Sequence, residues 1–280
     1  MTADSPTWRA LLADAVSEVG DDADARRIVE EASGYEGAAL VLHLDDPCTT
    51  LGHAHWARMV ERRVAGEPLQ YVLGRWGFRT LDLLVDKRVL IPRPETEVVV
   101  EHALAEAERI GATVAVDLGT GSGAIALSLA AERLGLAVWA SDSSPAALEV
   151  ARANLAGIGR AATRVRLVEG DWYTALPDDL VGAVDLIVSN PPYVADGDPL
   201  PDDVAAWEPP GALHSGPQGL DALTVIIDGA PRWLRPEGVL VLEIGDTQGE
   251  QVRKLAEASG FDASVAPDLT GRDRVVIARL

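Results

Sequence analysis

The most informative stretch of the sequence for the fold is "VDLGTGSGAIALSLA", residues 116–130. An apolar run ends at Asp117, three alternating glycines follow over Gly119–Gly123, and an apolar helical pattern begins directly after them. Glycines in such a turn allow a sharp change of direction and a close approach of a ligand to the backbone. The helix start beyond them can face an anionic group. A turn without a ligand would not need three glycines, so we expect a ligand-binding loop here.

The glycine spacing excludes two common phosphate sites. The pattern is G-x-G-x-G, one residue shorter than the G-x-G-x-x-G fingerprint of dinucleotide-binding folds, and no G-K-[ST] follows as in a P-loop. The loop is therefore not predicted to hold a pyrophosphate.

Short apolar runs and helical patterns alternate from Ala112 onward, which indicates a mostly parallel sheet with helices on both faces. The predicted strands are Val114–Asp117, Ala137–Ser141, Val165–Glu169, Val184–Ser189, Val239–Ile244, Phe261–Ala266 and Arg274–Arg279. The predicted helices are Ala124–Leu134, Pro145–Leu155, Leu220–Leu234 and Gln248–Ser259.

The chain before this predicted sheet has different residue patterns. Residues 1–75 carry apolar side chains at helical spacing and predict a small helical domain. Residues 76–93 alternate β-branched, aromatic and polar residues and predict a β-hairpin linker. Pro94, Glu95 and Glu97 suit the first turn of a helix, so the sheet domain is predicted to span residues 94–280.

Composition narrows the function classes. The 280 residues carry a formal charge of −20 at pH 7, which disfavours free DNA or RNA as a partner. No apolar run is long enough to span a membrane, and the N-terminus lacks the order of a signal peptide. Cys48 is the only cysteine, and the five histidines lack metal-ligand spacing. We expect a cytoplasmic monomer without a metal.

Acidic residues follow the second and third predicted strands. Asp142 lies 23 positions after Gly119, where an acid typically accepts hydrogen bonds from ribose hydroxyls. It could instead cap the next helix, but Ser143 or Ser144 can take that part. Asp171 can accept from an adenine amino group, and Trp172 either offers a flat face to the base or packs in the core. Together these residues predict a pocket for adenosine without phosphates.

This order of a glycine loop, a ribose acid and an adenine acid resembles the class I S-adenosylmethionine-dependent methyltransferases over about residues 112–280. The resemblance implies a Rossmann-like, seven-stranded, mostly parallel sheet and S-adenosylmethionine as the cofactor, with S-adenosylhomocysteine as the product.

The fourth strand is followed by "SNPPY", Ser189–Tyr193, which as a bare motif is a tight turn. Its position at the carboxyl end of a strand, beside the predicted pocket, favours a role in catalysis. The motif resembles that of enzymes that methylate planar, conjugated nitrogen atoms. The Asn190 side-chain oxygen and the Pro191 carbonyl can accept hydrogen bonds from a substrate NH₂ group. Tyr193 can pack on its plane. The motif does not choose between adenine N6, cytosine N4 and glutamine.

Three further segments are similar to the HemK/PrmC family of protein-(glutamine-N5) methyltransferases, which modify peptide chain release factors. They are "GEPLQYVLGRWGF" (66–78), "LIPRPETE" (90–97) and "GRDRVVIARL" (271–280). The resemblance implies the glutamine of the Gly-Gly-Gln motif of class 1 release factors as the substrate, with the N-terminal helices contacting the factor. The site residues it implies comprise a cofactor set, namely Gly119, Thr120, Gly121, Ser122, Gly123, Asp142, Asp171, Trp172 and Asn190, and a substrate set, namely Asn190, Pro191, Pro192 and Tyr193, of which Asn190, Pro191 and Tyr193 are catalytic.

Two alternatives remain at this point. An N6-adenine DNA or RNA methyltransferase would need a basic groove and a target-recognition insert, which the charge and the length do not favour. A catalytically silent cofactor-binding scaffold would have no need of an intact SNPPY motif.

Overall fold

The computed structural model describes residues 5–280, so the first four residues of the predicted helical domain lie outside the described part. The described chain divides into two compact units. The first runs through Arg75 and also includes Asp202–Trp207, and the second comprises Trp76–Pro201 and Glu208–Leu280. In chain order the helices and strands are α1 (Trp8–Val19), α2 (Asp22–Ser33), α3 (Ala38–His43), α4 (Thr50–Val64), α5 (Leu69–Leu73), β1 (Arg75–Phe78), β2 (Leu81–Leu84), α6 (Pro94–Arg109), β3 (Val114–Leu118), α7 (Ala124–Glu132), β4 (Ala137–Asp142), α8 (Pro145–Gly157), β5 (Val165–Glu169), β6 (Val184–Ser189), α9 (Asp202–Trp207), α10 (Asp221–Trp233), β7 (Leu234–Glu243), α11 (Gly249–Ala258), β8 (Asp262–Pro267) and β9 (Asp273–Arg279).

The first unit packs its helices around a core of its own. Thr7, Asp21 and Thr49 cap α1, α2 and α4 through their side-chain oxygens, which satisfies backbone N–H groups that the helix cannot pair. The core contains the apolar faces of these helices; its largest members include Trp8, Leu11, Ile28, Trp56 and Met59. Val64, at the end of α4, is exposed.

The second unit is a seven-stranded sheet with the strand order β5-β4-β3-β6-β7-β9-β8. Strands β5, β4, β3, β6 and β7 are parallel, and β9 is antiparallel to both β7 and β8. The interior strands β3, β6 and β7 are almost entirely buried because helices cover both faces. The predicted fold class is confirmed, including the two-stranded hairpin β1–β2.

The strand register brings the predicted ligand loops to one edge of the sheet. Leu118 at the end of β3 pairs with Ser141 on β4 and with Ser189 on β6. Asp142 on β4 pairs in turn with Glu169 on β5. The strand order reverses between β4 and β6 on either side of β3, and ligands of open α/β sheets bind at such a reversal. The segments that follow these four strands therefore meet at one crevice.

Within residues 5–280, every helix is too short or too polar to span a lipid bilayer.

Candidate active site

A cavity of about 340 Å³ lies at this crevice. Its walls come from the glycine loop, from the segments after β4, β5 and β6, from the chain ahead of α6 and from the loop around Pro209. The predicted site residues that line it are Gly119, Thr120, Gly121, Ser122, Asp142, Asp171, Trp172, Asn190 and Pro192. Residues that are far apart in the sequence thus form one continuous surface.

Three predicted residues do not line this cavity. Gly123 forms the N-cap of α7 in the left-handed conformation, and an added Cβ would lie 3.0 Å from Leu127, so it faces its own helix. Pro191 is buried. Tyr193 lines a second cavity of about 230 Å³ together with Arg93, Glu95, Glu243 and Arg274.

The glycine loop is fixed from inside the protein. The backbone N–H groups of Gly119 and Thr120 both donate to the Ser141 carbonyl at 2.9 Å. The Asp117 carboxylate accepts from the Thr120 hydroxyl at 2.6 Å and from the Ala126 backbone N–H at 3.1 Å. Complete burial raises the pKa of Asp117 to about 7, since a charged carboxylate is disfavoured away from water.

Asp142 connects two neighbouring loops. One carboxylate oxygen accepts from the Gly121 N–H at 2.8 Å, and the other accepts from the Ser144 N–H at 2.8 Å. Ser144, not Asp142, caps α8, because its hydroxyl accepts from the Ala147 N–H. Burial raises the pKa of Asp142, while the two backbone donors oppose that rise. The carboxylate is thus oriented on the cavity wall and keeps lone pairs for a ligand.

Trp172 lies against the glycine loop. Its ring is so near to Gly119 that a Cβ there would lie 3.3 Å from it. Trp172 itself has a left-handed backbone with φ of 45°, which is uncommon for a bulky residue, and Asp171 beside it is exposed. Trp172 packs against the core and also lines the cavity, so core packing is present and contact with a base stays a prediction.

The SNPPY segment is anchored at both ends. The Ser189 hydroxyl donates to the Leu118 carbonyl at 2.6 Å. The Gln248 side chain donates to the carbonyls of Tyr193 and Gly219 at 3.0 and 3.2 Å. The Asn190 Nδ2 group donates to the Thr96 hydroxyl at 3.2 Å. This turn is therefore held by three other parts of the second unit, through the Leu118 carbonyl and the side chains of Gln248 and Thr96.

Two pairs of residues around the site were not predicted. Glu208 is buried, accepts from the Ile91 N–H at 3.0 Å and forms an ion pair with Arg93. Its neighbours Pro209 and Gly211 line the cavity, as do Leu90 and Pro92 on the other side of the pair. The pair therefore joins two walls of the cavity.

The second pair is Thr96 and Glu243, whose hydroxyl and carboxylate oxygens are 2.6 Å apart. Glu243 is almost completely buried, and burial raises its pKa to about 7. The sequence contained a signal for Glu243. This acid directly follows the apolar run Val239–Leu242, and because acids are rarely buried without a partner, a partner for it could have been expected.

The fold is shared with solved methyltransferases. A methyltransferase from Pyrococcus furiosus superposes with a TM-score of 0.54 at 19% sequence identity, covering 81% of this chain and 98% of that one. The catalytic domain of hMettl16, solved with a MAT2A 3′UTR hairpin, gives 0.56 at 19% identity and covers 80% of each chain. The chain therefore shares its fold and its sheet topology with these methyltransferases.

Sequence comparison gives the family. Residues 7–74 match the model "PrmC N-terminal domain" and residues 95–208 match "Methyltransferase small domain". Relatives named release factor glutamine methyltransferase include those of Xylella fastidiosa strain 9a5c, 44% identical over 98% of each chain, and of Cereibacter sphaeroides, 46% identical over 92% of this chain and 90% of the relative. The chain belongs to the release factor glutamine methyltransferase family, as its motifs predicted.

Proposed function

We propose that this chain transfers a methyl group from S-adenosylmethionine to the side-chain amide nitrogen, N5, of the glutamine in the Gly-Gly-Gln motif of class 1 peptide chain release factors. The main observation behind this proposal is how the side-chain amide of Asn190, which lines the cavity, is hydrogen-bonded. Its Nδ2 group is engaged by Thr96, whereas no group within residues 5–280 donates to its Oδ1 oxygen. Membership of the family supports glutamine as the acceptor.

The residues around the larger cavity fit S-adenosylmethionine. A Cβ at Gly119 would lie only 3.3 Å from the Trp172 ring, so the turn brings the backbone itself close to the indole at the cavity wall. We assign the loop Gly119–Ser122 to the methionine part, Asp142 to the ribose hydroxyls, and Asp171 with Trp172 to the adenine. Gly123, which faces α7, allows the turn into that helix. When bound, this cofactor supplies an electrophilic methyl group on a sulfonium sulfur.

An amide nitrogen is a weak nucleophile, and the SNPPY segment supplies hydrogen-bond acceptors that orient it. The lone pair of that nitrogen is delocalised, so its attack must be directed. Asn190 Oδ1 and the Pro191 carbonyl each accept one N–H of the substrate, which orients the nitrogen and stabilises the positive charge that develops on it. Pro192 lines the cavity and stiffens the turn. Tyr193 lines the smaller cavity, so its proposed packing beside the planar amide requires the substrate side chain to reach that side of the segment. The methylated nitrogen is acidic and loses its extra proton to water.

The first unit is proposed to contact the release factor. Residues 1–75 contain 13 acids and seven bases, so the charge favours a basic surface on the factor. The net charge of −20 on the whole chain argues against a free nucleic acid as the substrate.

The test is to incubate the protein with methyl-labelled S-adenosylmethionine and, separately, with a purified class 1 release factor, duplex DNA and RNA. Peptide mass spectrometry should place one methyl group on the Gly-Gly-Gln glutamine, and a factor whose glutamine is replaced by alanine should take up none. Label on DNA or RNA without label on this glutamine would contradict the proposal and favour the N6-adenine alternative.

The matched variant for catalysis is Asn190→Ala. We expect turnover to fall by roughly 10²–10³ because one of two acceptors at the reacting nitrogen is lost. Binding of S-adenosylmethionine, measured by calorimetry, should persist. Unchanged turnover would remove Asn190 from the catalytic set.

A further inference from the structure

We propose that Thr96 and Glu243 are positioning residues that fix the orientation of the Asn190 side-chain amide, so that its oxygen and not its NH₂ group is presented to the substrate nitrogen. This inference rests on the proposed function and concerns how the catalytic side chain of the same site is oriented.

We call the hydrogen-bonded chain from Glu243 through Thr96 to Asn190 the relay, and it begins at a buried carboxylate. Glu243 is 1% exposed and is the last residue of strand β7. One of its oxygens lies 2.6 Å from the Thr96 hydroxyl, and the other lies 3.4 Å from the Tyr193 hydroxyl. An ionised carboxylate can only accept hydrogen bonds. The Thr96 hydroxyl must therefore donate its single proton to Glu243.

That donation determines what Thr96 offers to Asn190. Because its only hydrogen is directed at Glu243, the Thr96 hydroxyl can only accept a hydrogen bond from its second neighbour. Its oxygen is 3.2 Å from the amide group of Asn190, so the Nδ2 end must point toward Thr96. The Oδ1 end is then left on the other branch of the amide. An asparagine amide is a nearly symmetric fork, and its orientation is set by such a network of partners.

The opposite orientation would be unproductive. With the Asn190 NH₂ group toward the substrate, two donors would face each other and one acceptor would be lost at the reacting nitrogen. A buried polar group without its partner costs enough free energy to reduce turnover by roughly 10- to 100-fold. The relay thus supplies the polarity that the proposed mechanism requires.

The relay also predicts a dependence on pH. A protonated Glu243 can donate to the Thr96 oxygen, which frees the Thr96 proton for Asn190 Oδ1 and allows the amide to turn. Burial raises the pKa of Glu243 to about 7; Arg274 opposes that rise and Glu95 adds to it. The charged and titratable groups that line the smaller cavity with Glu243 are Arg93, Glu95, Tyr193 and Arg274. Turnover should therefore decrease below about pH 7.

Three substitutions test the relay by turnover at saturating S-adenosylmethionine, and a fourth, Asp117→Asn, is a control for the dependence on pH. Thr96→Val keeps the shape and removes the hydroxyl, and should lower kcat roughly 10- to 100-fold with cofactor binding retained. Thr96→Ser should restore most of that loss. Glu243→Gln should lower the plateau of kcat and remove the acidic decrease. Asp117→Asn should keep it, although burial raises the Asp117 pKa to about 7 as well.

Thr113→Val is the matched control, because Thr113 also donates its hydroxyl to a carboxylate, that of Asp185, and lies directly before β3. Its kcat should equal that of the wild type. A double-mutant cycle excludes a merely structural effect: in the Asn190→Ala background, Thr96→Val should cost nothing further. An equal loss in both backgrounds, or no loss from Thr96→Val, would overturn the relay.

A spectroscopic measurement does not depend on turnover. In ¹⁵N-asparagine-labelled protein, the side-chain amide signals of Asn190, assigned by their loss in Asn190→Ala, should shift with a midpoint near pH 7, and Glu243→Gln should abolish that shift. Signals that do not respond to pH in the wild type would overturn the relay. If the wild type methylates no glutamine at all, the proposed function fails; if it does and Thr96→Val matches it, only the relay fails.

Discussion

Asp142 accepts a hydrogen bond from the backbone N–H of Gly121 at 2.8 Å, so the acid at the end of β4 holds the glycine loop at the end of β3. The same carboxylate accepts from Ser144 at the start of α8. A single side chain therefore connects two walls of the cavity. In the proposed site it has a second task, to accept from the ribose hydroxyls.

Replacing Asp142 by alanine should weaken binding of S-adenosylmethionine by about 10- to 100-fold, since charge-assisted hydrogen bonds are lost and the loop is released. Calorimetric titration measures the change. Asp185→Asn is the control: Asp185 also accepts from backbone N–H groups, those of Thr113 and Val114, but at the opposite edge of the sheet. It should lower stability and leave cofactor affinity unchanged. Equal affinity losses in both variants would contradict the assignment.

Substitutions at Gly119 and Gly121 can separate the effect of backbone strain from the effect of a clash with the Trp172 ring. Both have positive φ, 73° and 56°, but an added Cβ would meet the Trp172 ring only at Gly119 and open space at Gly121. Alanine at either position should lower the free energy of unfolding by about 1–2 kcal/mol. Only Gly119→Ala should also displace the indole, and its affinity for S-adenosylmethionine should fall by about tenfold more than that of Gly121→Ala. Equal affinities in the two variants would show that Trp172 does not contact the ligand.

The Arg93–Glu208 pair should couple two walls of the cavity. Arg93→Ala and Glu208→Ala should each lower stability, Glu208→Ala more so, because it also leaves the Ile91 N–H without its acceptor. A double-mutant cycle on urea unfolding should show a coupling free energy of about 1 kcal/mol, since Arg93 is one-third exposed and water screens the pair. Glu208→Gln retains an acceptor for Ile91 and should lie between wild type and Glu208→Ala. Additive effects would mean that the pair is not coupled.

The sheet was predictable because parallel strands that are buried on both faces give nearly continuous apolar runs. Val165–Glu169 and Val184–Ser189 were predicted with the bounds that the structure shows. β7 was predicted to begin at Val239, but it begins at Leu234, because the polar stretch after Leu234 conceals its first half. Val184 still pairs with Leu234 across that irregular stretch.

The pairs that support the site were not predictable. Thr96 and Glu243 are 147 positions apart, and Arg93 and Glu208 are 115 apart, so only the folded sheet brings them together. The motif "LIPRPETE" marks Arg93 and Thr96 as noteworthy, but as a local pattern it indicates no more than a helix start. The residues that line the cavity were easier to predict from the sequence, because they follow the carboxyl ends of parallel strands, which meet at one side of the sheet.

Asp117 should make stability depend on pH. Its pKa is raised to about 7 in the folded protein, mainly by burial, whereas it is about 3.9 in an unfolded chain. Between these values the folded state binds more protons than the unfolded state, so the free energy of unfolding should decrease as pH rises from about 4 to 7 and stay level above that. Asp117→Asn keeps an acceptor for Thr120 and Ala126 and removes the charge. Relative to wild type, it should therefore gain on the order of 1–4 kcal/mol between pH 4 and pH 8 in urea unfolding.

Comparing the two proteins at each pH isolates this one group. Glu243 shifts in the same direction, but it is present in both proteins, so its effect cancels in the difference. The Asp117 Oδ1 oxygen has no hydrogen-bond partner within the described residues, and in Asp117→Asn the amide nitrogen can take that place without a buried charge. A stability difference that is the same at pH 4 and pH 8 would mean that Asp117 ionises as readily in the folded chain as in water, and that the glycine loop carries an ordinary carboxylate beneath it.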